Sequence, residues 1–216
     1  MTRPEVVHDA PLAQLVDRAR RIVVLGERRV LGIAGPPGAG KSTLAASIRV
    51  ALGPATAALV PMDGFHLSNE RLVEIGLRDR KGAPETFDAE GYAEMLARIR
   101  GSLGQRVLVP SFDRDAEAVV PDTIGVLARV SLIVAEGNYL VLDEGPWAAI
   151  RALLDAAWYL RGGADRVPRL VARHVAHGRT PEAARDWVLR SDEANAARIA
   201  PSAARADLVI DGLPRA

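Results

Sequence analysis

The sequence predicts an α/β fold, a three-layer sandwich in which a mainly parallel sheet lies between helices on both of its faces. Short apolar runs alternate along the chain with stretches whose apolar residues recur at helical spacing, which is the pattern of repeated strand–helix units. Several of the runs are apolar throughout, as strands buried on both faces are. With 216 residues the chain is long enough for a sizeable core, and we expect one domain over residues 1–216.

The first strand–helix unit contains a glycine-rich loop. Residues 29–34 form an apolar run that predicts a buried strand, and Leu44, Ile48 and Leu52 then recur at helical spacing. The loop between them fits G-x-x-x-x-G-K-[ST], the phosphate-binding P-loop. Its glycines let backbone N–H groups point at a phosphate chain, and the N-terminus of the helix faces the same anion.

This loop predicts a nucleoside triphosphate site that also uses Mg²⁺. We expect Lys41 to reach the β- and γ-phosphates and the Ser42 hydroxyl to bind the metal. The predicted nucleotide-binding residues of the loop are Gly35, Pro36, Pro37, Gly38, Ala39, Gly40, Lys41, Ser42 and Thr43.

The other elements of the first half of the chain are predicted from the same two signals, short apolar runs for strands and apolar residues at helical spacing for helices. A helix is predicted before the P-loop strand, on the shared face of Leu12, Leu15, Val16, Ala19 and Val23. The run 57–61 predicts a second strand, the charged residues 78–88 predict a loop, and apolar spacing predicts a helix over 92–103. Short strands at 107–110 and 119–121 each lead into a proline, which favours edge strands of a small substrate-side flap.

The second half contains three further predicted strands and three helix signals. The strands are 131–136, 156–160 and 206–210, and the helix signals lie at 143–147, 170–175 and 180–182. We expect residues 162–182 to form a helical lid over the nucleotide site.

Two acidic residues lie at the carboxyl ends of predicted strands. Asp63 comes after the strand at 57–61, and Glu136 ends the strand at 131–136, in the Walker B position. Ligands of parallel sheets bind at the carboxyl ends of the strands, so both acids are expected near the phosphates. Asp63 is the candidate base toward the acceptor hydroxyl, and Glu136 is the candidate Mg²⁺ ligand beside Ser42. A turn-capping Asp63 and an ordinary strand-end Glu136 are the alternatives.

Basic and polar side chains in the irregular segments are candidates for substrate and phosphate contacts. His66, Lys81 and Arg114 lie in segments on the substrate side. Arg173 is a candidate catalytic residue and Arg169 a candidate nucleotide-binding residue of the lid, because a closing lid can bring positive charge to the phosphates. A structural histidine and solvated surface charges are the alternative interpretations.

Composition excludes several classes of function. A formal net charge of +1 gives no reason to expect nucleic acid or an anionic membrane as a partner. The absence of cysteine excludes a disulfide framework and a thiolate metal site. No apolar stretch has the length of a membrane span and no signal peptide opens the sequence, so we expect a cytoplasmic protein. A homodimer is left open.

Five segments, taken in order, resemble those of a known family. They are the P-loop, Met62-Asp63-Gly64-Phe65-His66, the segment from Lys81 to Asp88, Pro110-Ser111-Phe112-Asp113-Arg114 and Glu136-Gly137-Asn138-Tyr139. The chain resembles the P-loop kinases that include uridine kinase, phosphoribulokinase and the bacterial-type pantothenate kinase. Residues 136–147 are most similar to the branch labelled nucleoside/nucleotide kinase or "putative fructose transport system kinase".

The resemblance implies a P-loop kinase fold with ATP and Mg²⁺ as cofactors. It also implies that Asp63 acts as the base, that Glu136 serves the metal, and that the helix with Arg169 and Arg173 forms a lid. Asn195 is expected to face the acceptor pocket on the same ground, and Tyr139 is counted among the residues of that pocket.

The sequence thus predicts a kinase that transfers the γ-phosphoryl group of ATP to an alcohol of a small metabolite. Sugars or sugar acids, nucleosides and pantothenate-like compounds stay open as acceptors. One alternative is a nucleoside monophosphate kinase, whose acceptor phosphate would bind Arg71, Arg78, Arg80 and Arg114. The other is a non-catalytic nucleotide-binding regulator, although the sequence has no Asn-Lys-x-Asp guanine-reading motif.

Overall fold

A six-stranded parallel sheet forms the centre of the computed structural model, which describes residues 3–212. Its strands are β1 (Glu5–His8), β2 (Arg29–Ala34), β3 (Ala57–Pro61), β6 (Leu132–Glu136), β7 (Ala156–Gly162) and β8 (Leu208–Asp211), in the order β1-β8-β7-β2-β6-β3. The other two strands, β4 (Val107–Asp113) and β5 (Ala118–Val126), form a separate antiparallel hairpin. β2 therefore lies inside the sheet, between β6 and β7.

Helices cover both faces of the sheet. The α-helices are α1 (Leu12–Ile22), α2 (Lys41–Leu52), α3 (Asn69–Glu74), α4 (Ala89–Gly101), α5 (Arg166–Ala176), α6 (Pro181–Trp187) and α7 (Glu193–Ile199). Shorter 3-10 segments lie at Met62–Phe65, Arg78–Arg80, Pro84–Thr86, Gly145–Leu153 and Ala200–Arg205, and a π-helical turn at Val188–Asp192 joins α6 to α7.

Alternate residues of the strands form two separate apolar cores. In β2, Ile33 packs in the cluster formed with α1 and α2, whereas Val30 packs in the cluster formed with α4 and the segment Gly145–Leu153. Successive side chains of a strand point to opposite faces, so helices on both sides are needed to bury a strand of this composition. This is the predicted three-layer α/β sandwich.

The structure extends some of the sequence predictions and corrects others. The hairpin strands run past Pro110 and Pro121 instead of stopping there, and a register shift between Val109 and Ser111 accommodates the first proline. Both strands of a two-stranded sheet are edge strands, which tolerate the missing N–H of proline. β1, α3 and α7 were not predicted. The domain expected over 1–216 includes residues 1–2 and 213–216, which lie outside the described residues. Within residues 3–212, none of the helices combines the length and the apolar composition needed to span a membrane.

A buried arginine fastens the hairpin to the sheet. Arg28 precedes β2 and is only 3% exposed. Its guanidinium donates to the carbonyl oxygens of six residues: Ile99, Ser102, Gln105, Leu127, Ala128 and Val130. These carbonyls belong to the end of α4 and to the chain segments that enter and leave the hairpin. The contacts use the five N–H donors that a guanidinium carries in a planar fork.

We expect Arg28→Lys to lower the free energy of unfolding by about 3 kcal/mol or more, because an ammonium has three donors and leaves buried carbonyls without partners. Urea unfolding followed by circular dichroism measures the change. Arg20→Lys is the matched control, since Arg20 forms an exposed ion pair with Asp17, and it should shift the midpoint little. Equal midpoints for the two variants would contradict this account of Arg28.

Candidate active site

The carboxyl ends of β2, β3 and β6 lead into one cavity of about 240 Å³. From these strands the cavity receives the P-loop, Asp63 and Glu136, and α5 and α6 with the loops around them line its opposite side. Of the predicted site residues, the cavity is lined by Pro37, Gly38, Lys41, Ser42, Asp63, His66, Lys81, Arg114, Glu136 and Arg173.

Two glycines fix the path of the P-loop. Gly35 has a φ of 146°, and a Cβ atom there would lie 2.1 Å from the carbonyl oxygen of Leu160 in β7. Gly38 has a φ of 74°, and its Cβ would meet the side chain of Leu170 in α5 at 2.6 Å. Side chains are thus excluded at both positions by backbone conformation and by close neighbours. The loop passes between β7 and the helix expected to act as the lid.

Lys41 begins α2 and its side chain is held inside the loop. Its ammonium donates to the carbonyl oxygen of Pro36 at 3.0 Å and to Oδ1 of Asn138 at 2.7 Å. Burial lowers the pKa of Lys41 to about 8; the nearby Glu136 opposes this change, and the positive charge of Arg173 adds to it. Because both acceptors are neutral oxygens, the positive charge of Lys41 stays available to an anion in the cavity.

Ser42 and Glu136 lie together at the bottom of the cavity. The Ser42 hydroxyl donates to Oε1 of Glu136 at 3.0 Å. Burial raises the pKa of Glu136, and the negative charge of Asp63 raises it further, whereas Lys41 and the hydrogen bond from Ser42 act in the opposite direction. A hydroxyl and a carboxylate are the oxygen ligands that Mg²⁺ prefers, and a cation there would relieve the repulsion between the two acids.

This donor set fits Mg²⁺ held jointly with a nucleotide. Within residues 3–212 no group of three or more His, Cys, Asp or Glu residues could hold a metal by itself. Mg²⁺ ordinarily binds one or two protein oxygens, water and substrate phosphates, so a hydroxyl with one carboxylate suffices.

Asp63 faces the hairpin. It lies in the 3-10 segment after β3, and its Oδ2 accepts a hydrogen bond of 2.7 Å from Nη2 of Arg114, in the turn between β4 and β5. Gly64 packs beneath the same hairpin, since a Cβ there would lie 2.4 Å from the carbonyl oxygen of Pro110. The contact between the strand end and the hairpin thus places a carboxylate and a guanidinium side by side.

His66 is enclosed by aromatic rings. Its ring centroid lies 4.0 Å from that of Phe87 and 4.5 Å from that of Phe112. Nδ1 lies 2.8 Å from the carbonyl oxygen of Asp63, and a carbonyl can only accept, so Nδ1 carries the hydrogen. Burial lowers the pKa of His66. The ring is therefore neutral at neutral pH, and Nε2 is its acceptor atom.

Lys81 lines the cavity beside the turn between β4 and β5. Its ammonium donates to Oδ1 of Asn69 at 2.7 Å and to the backbone carbonyl oxygen of Glu117 at 3.0 Å. Burial lowers its pKa, and the carboxylate of Glu117 acts in the opposite direction. That carboxylate also accepts a hydrogen bond of 3.1 Å from Arg78.

Tyr139 and Asn195 do not line the cavity, which differs from their predicted role as substrate contacts. Tyr139 is fully buried, and its hydroxyl donates to the carbonyl oxygen of Gly82. Nδ2 of Asn195 donates to the same oxygen at 3.2 Å. Both side chains therefore fix the backbone next to Lys81 from behind the cavity wall.

Helix α5, which the sequence predicts to be part of a lid, contacts the P-loop through arginines. Arg169 donates to the carbonyl oxygen of Gly38 at 3.2 Å, and Arg166 donates to that of Pro37 at 3.0 Å. Arg173 lies one turn beyond Arg169 and lines the cavity, whereas Arg169 lies outside its lining. Neither Arg166 nor Asn138 was predicted to have a role in the site. Asn138 contacts Lys41 across 97 positions of the chain. Asn138 lies just after a strand-end acid and within the segment 136–139 that resembles the family, but neither feature predicts its contact with Lys41.

Comparison with known proteins assigns the family. Residues 30–216 match the model described as "Phosphoribulokinase / Uridine kinase family". The chain belongs to this family. It is thereby placed among small-molecule kinases that phosphorylate alcohol groups, as the sequence predicted.

Individual relatives are similar over nearly the whole chain. An Escherichia coli protein named "Uncharacterized protein YggC" is 32% identical over 95% of this chain and 84% of its own length. A Schizosaccharomyces pombe protein named as a "Putative uridine kinase" is 32% identical over 93% of this chain and 90% of its own. A solved structure described as a "putative fructose transport system kinase" from Silicibacter sp. TM1040 has a TM-score of 0.82 and 36% identity, covering 92% of this chain and 98% of that one.

The lowered pKa of Lys41 predicts proton uptake when ATP binds at alkaline pH. At pH 9 a lysine with a pKa of about 8 is mostly neutral, and phosphate oxygens favour the ammonium form. We expect uptake of close to one proton per ATP at pH 9, and weaker binding as the pH rises above about 8. Calorimetry in two buffers of different ionisation enthalpy measures it. Lys41→Arg, which stays charged, should show no uptake; equal uptake by the variant would contradict the assignment to Lys41.

Proposed function

We propose that this protein is an ATP- and Mg²⁺-dependent kinase that transfers the γ-phosphoryl group to an alcohol of a small metabolite. The observation that supports this most is the meeting of Lys41, the Ser42–Glu136 pair and Asp63 in one cavity. Phosphoryl transfer requires a phosphate cradle, a metal site, a group that accepts the hydroxyl proton and cations for the developing charge. Each requirement has a side chain here.

In the proposed mechanism the P-loop amides and Lys41 hold the triphosphate, and Ser42 with Glu136 would hold Mg²⁺. The metal supplies charge neutralisation between the phosphates. Asp63 accepts the proton of the acceptor hydroxyl at its carboxylate. Arg114 donates to Oδ2 of Asp63 at 2.7 Å, and the other lone pairs of the carboxylate are left to accept the hydrogen of the hydroxyl.

The lid, which we place at residues 162–182 as the sequence indicated, would exclude water when it closes. Arg173 would then bring positive charge to the transferred phosphoryl group, and Arg169 would stabilise the nucleotide through the loop. The contacts of Arg166 and Arg169 with P-loop carbonyls support this coupling, because they join the lid helix to the phosphate cradle.

The arginine arrangement favours an alcohol over a nucleotide phosphate as the acceptor. Arg71 and Arg80 lie outside the cavity and pair with Glu74 and Glu85. Arg78 and Arg114 line it, but each is already paired with an acid. A phosphate acceptor needs several convergent cations, and only two of these four arginines line the cavity.

We expect Asp63→Asn to reduce acceptor-dependent turnover by about 10²-fold or more, because the amide cannot take the hydroxyl proton. ADP release is measured with Mg²⁺-ATP across sugars, sugar acids, nucleosides, pantothenate and nucleoside monophosphates, and ATP binding is measured beside it. Binding should persist in the variant. Intact turnover in Asp63→Asn would refute the base, and ATP binding without turnover on any acceptor would favour a non-catalytic regulator.

Replacement of Glu136 tests the metal site without relying on turnover. We expect Glu136→Gln to weaken the Mg²⁺ dependence of ATP affinity, raising the Mg²⁺ concentration for half-maximal effect by about 10- to 100-fold. ATP binding in a chelator should change much less. Titration calorimetry at several Mg²⁺ concentrations gives both values, with Glu144→Gln, on an exposed acid paired with Arg198, as the control. An unchanged Mg²⁺ midpoint in Glu136→Gln would exclude Glu136 as a metal ligand.

A further inference from the structure

The part of the cavity beside the turn between β4 and β5, here called the acceptor end, contains two cations that share one carboxylate. Glu117, in the turn between β4 and β5, accepts a hydrogen bond from Arg78 at 3.1 Å, and its Oε2 lies 3.7 Å from the Lys81 ammonium. All three residues line the cavity. The Lys81 side chain is 10% exposed, whereas those of Arg78 and Glu117 are 42% and 49% exposed. A mostly buried cation is thus bridged to an exposed one by a half-exposed carboxylate.

Lys81 retains a donor for a ligand. Two of its three N–H donors have acceptors among the described residues, Oδ1 of Asn69 and the backbone oxygen of Glu117. The Glu117 carboxylate, at 3.7 Å, is beyond hydrogen-bond distance. The third donor can therefore bind an oxygen that approaches more closely than Glu117 does.

Glu117 is the last of the four residues in the hairpin turn between β4 and β5. Glu117 has a φ of 48°, in the left-handed region that non-glycine residues seldom occupy. Arg114, in the same turn, pairs with Asp63. One four-residue turn thus contacts both the candidate base and the cation pair, so a single small molecule in the cavity can reach both.

Aromatic surface for a nucleobase is already used at this end. Phe65, Phe87 and Tyr139 are buried and pack on other rings. Phe112 contacts the ring of His66 and lies 5.3 Å from the Lys81 ammonium. Trp187, at the end of α6, lies under Arg179, whose guanidinium carbon is 4.3 Å from the ring centroid. The recognition chemistry offered to the acceptor is therefore charge rather than stacking.

We propose, on the basis of the proposed function, that the acceptor is a small hydroxy acid whose carboxylate displaces the carboxylate of Glu117 from Arg78 and Lys81. Glu117 then acts in the ligand-free protein as an internal substitute for the acceptor's carboxylate. The displacement exchanges one carboxylate for another on the same two cations and breaks no covalent bond. The acceptor hydroxyl meets Asp63 at the other end of the molecule.

Matched pairs of probes test the carboxylate alone. Glycerate with glycerol, gluconate with glucitol, and pantothenate with panthenol differ at the carboxylate and keep a hydroxyl for transfer. Binding is measured by calorimetry in the presence of a non-hydrolysable ATP analogue, and the KM from ADP release is measured separately. We expect at least one acid to bind about tenfold or more tightly than its neutral partner, since charge-assisted hydrogen bonds are the strong ones.

Three variants identify the residues. Lys81→Met should raise the dissociation constant of the preferred acid by about 10- to 100-fold and change that of its neutral partner little. Glu117→Gln should lower the dissociation constant of the acid about two- to tenfold, because it removes the internal competitor. Arg80→Met is the control: it removes a neighbouring cation that lies outside the cavity and pairs with Glu85, and it should change neither constant.

The hydroxy-acid assignment is overturned if the acid and its neutral partner bind equally in every pair. It is also overturned if no member of any pair binds. An acid preference that survives Lys81→Met, or one that Glu117→Gln weakens, overturns it as well. Tighter binding of glycerol 3-phosphate than of every acid would overturn the carboxylate in favour of a phosphate. These outcomes are independent of turnover. The proposed function instead fails if bound acceptors do not stimulate ADP release.

Discussion

The site depends on keeping one ammonium group buried without a carboxylate in direct contact. Lys41 is held by a backbone carbonyl and an amide oxygen, at 3.0 Å and 2.7 Å, and not by an acid. A direct ion pair would neutralise the charge before a phosphate arrived. The cost of this arrangement is visible as the pKa of Lys41, lowered to about 8 by burial. The glycine backbone of the P-loop, the close packing of β7 and the position of Asn138 are all needed to hold the group there.

The acids of the cavity are kept apart from Lys41 by their own partners. Glu136 accepts a hydrogen bond from the Ser42 hydroxyl, and Asp63 accepts one from the guanidinium of Arg114. The two acids repel one another, which helps to raise the pKa of Glu136, and this repulsion falls when a cation enters between them. The ligand-free protein thus holds a set of charges that are only partly matched. In the proposed function, the phosphates would supply negative charge to Lys41, and Mg²⁺ would supply positive charge to the two acids.

The sequence predicted the elements that local patterns define, and it missed those that distant contacts define. Five strands of the parallel sheet, all except β1, each contain a short run of mainly apolar residues, which predicts a buried strand locally. β1 has only Val6 and Val7 as apolar residues and is stabilised by pairing with β8, more than 200 positions away. α7 lies beyond a π-helical turn that breaks the helical period.

The P-loop and the two strand-end acids could be picked out from the sequence because their chemistry requires fixed residues at fixed spacing. Asn138, Arg166 and the Asp63–Arg114 pair were not, since each depends on a tertiary contact. Tyr139 and Asn195 lie next to the cavity, but their side chains contact the backbone of Gly82 instead of lining it. A sequence motif indicates which residues lie near a site, but not the direction in which their side chains point.

The buried Arg28 has a consequence for how acceptor specificity can change. It binds the hairpin where the chain enters and leaves it, through carbonyls from Gln105 to Val130, while Arg114 and Glu117 lie at the opposite end. The end of the hairpin at Gln105 and Val130 is therefore held by the buried Arg28. The turn at 114–117, which we call the tip, has no contact with Arg28. We therefore expect changes of residue or length in the turn at 114–117 to leave the contacts of Arg28 in place. The hairpin is in this sense an interchangeable module: one scaffold for phosphoryl transfer can be adapted to a different acceptor by rebuilding a single turn.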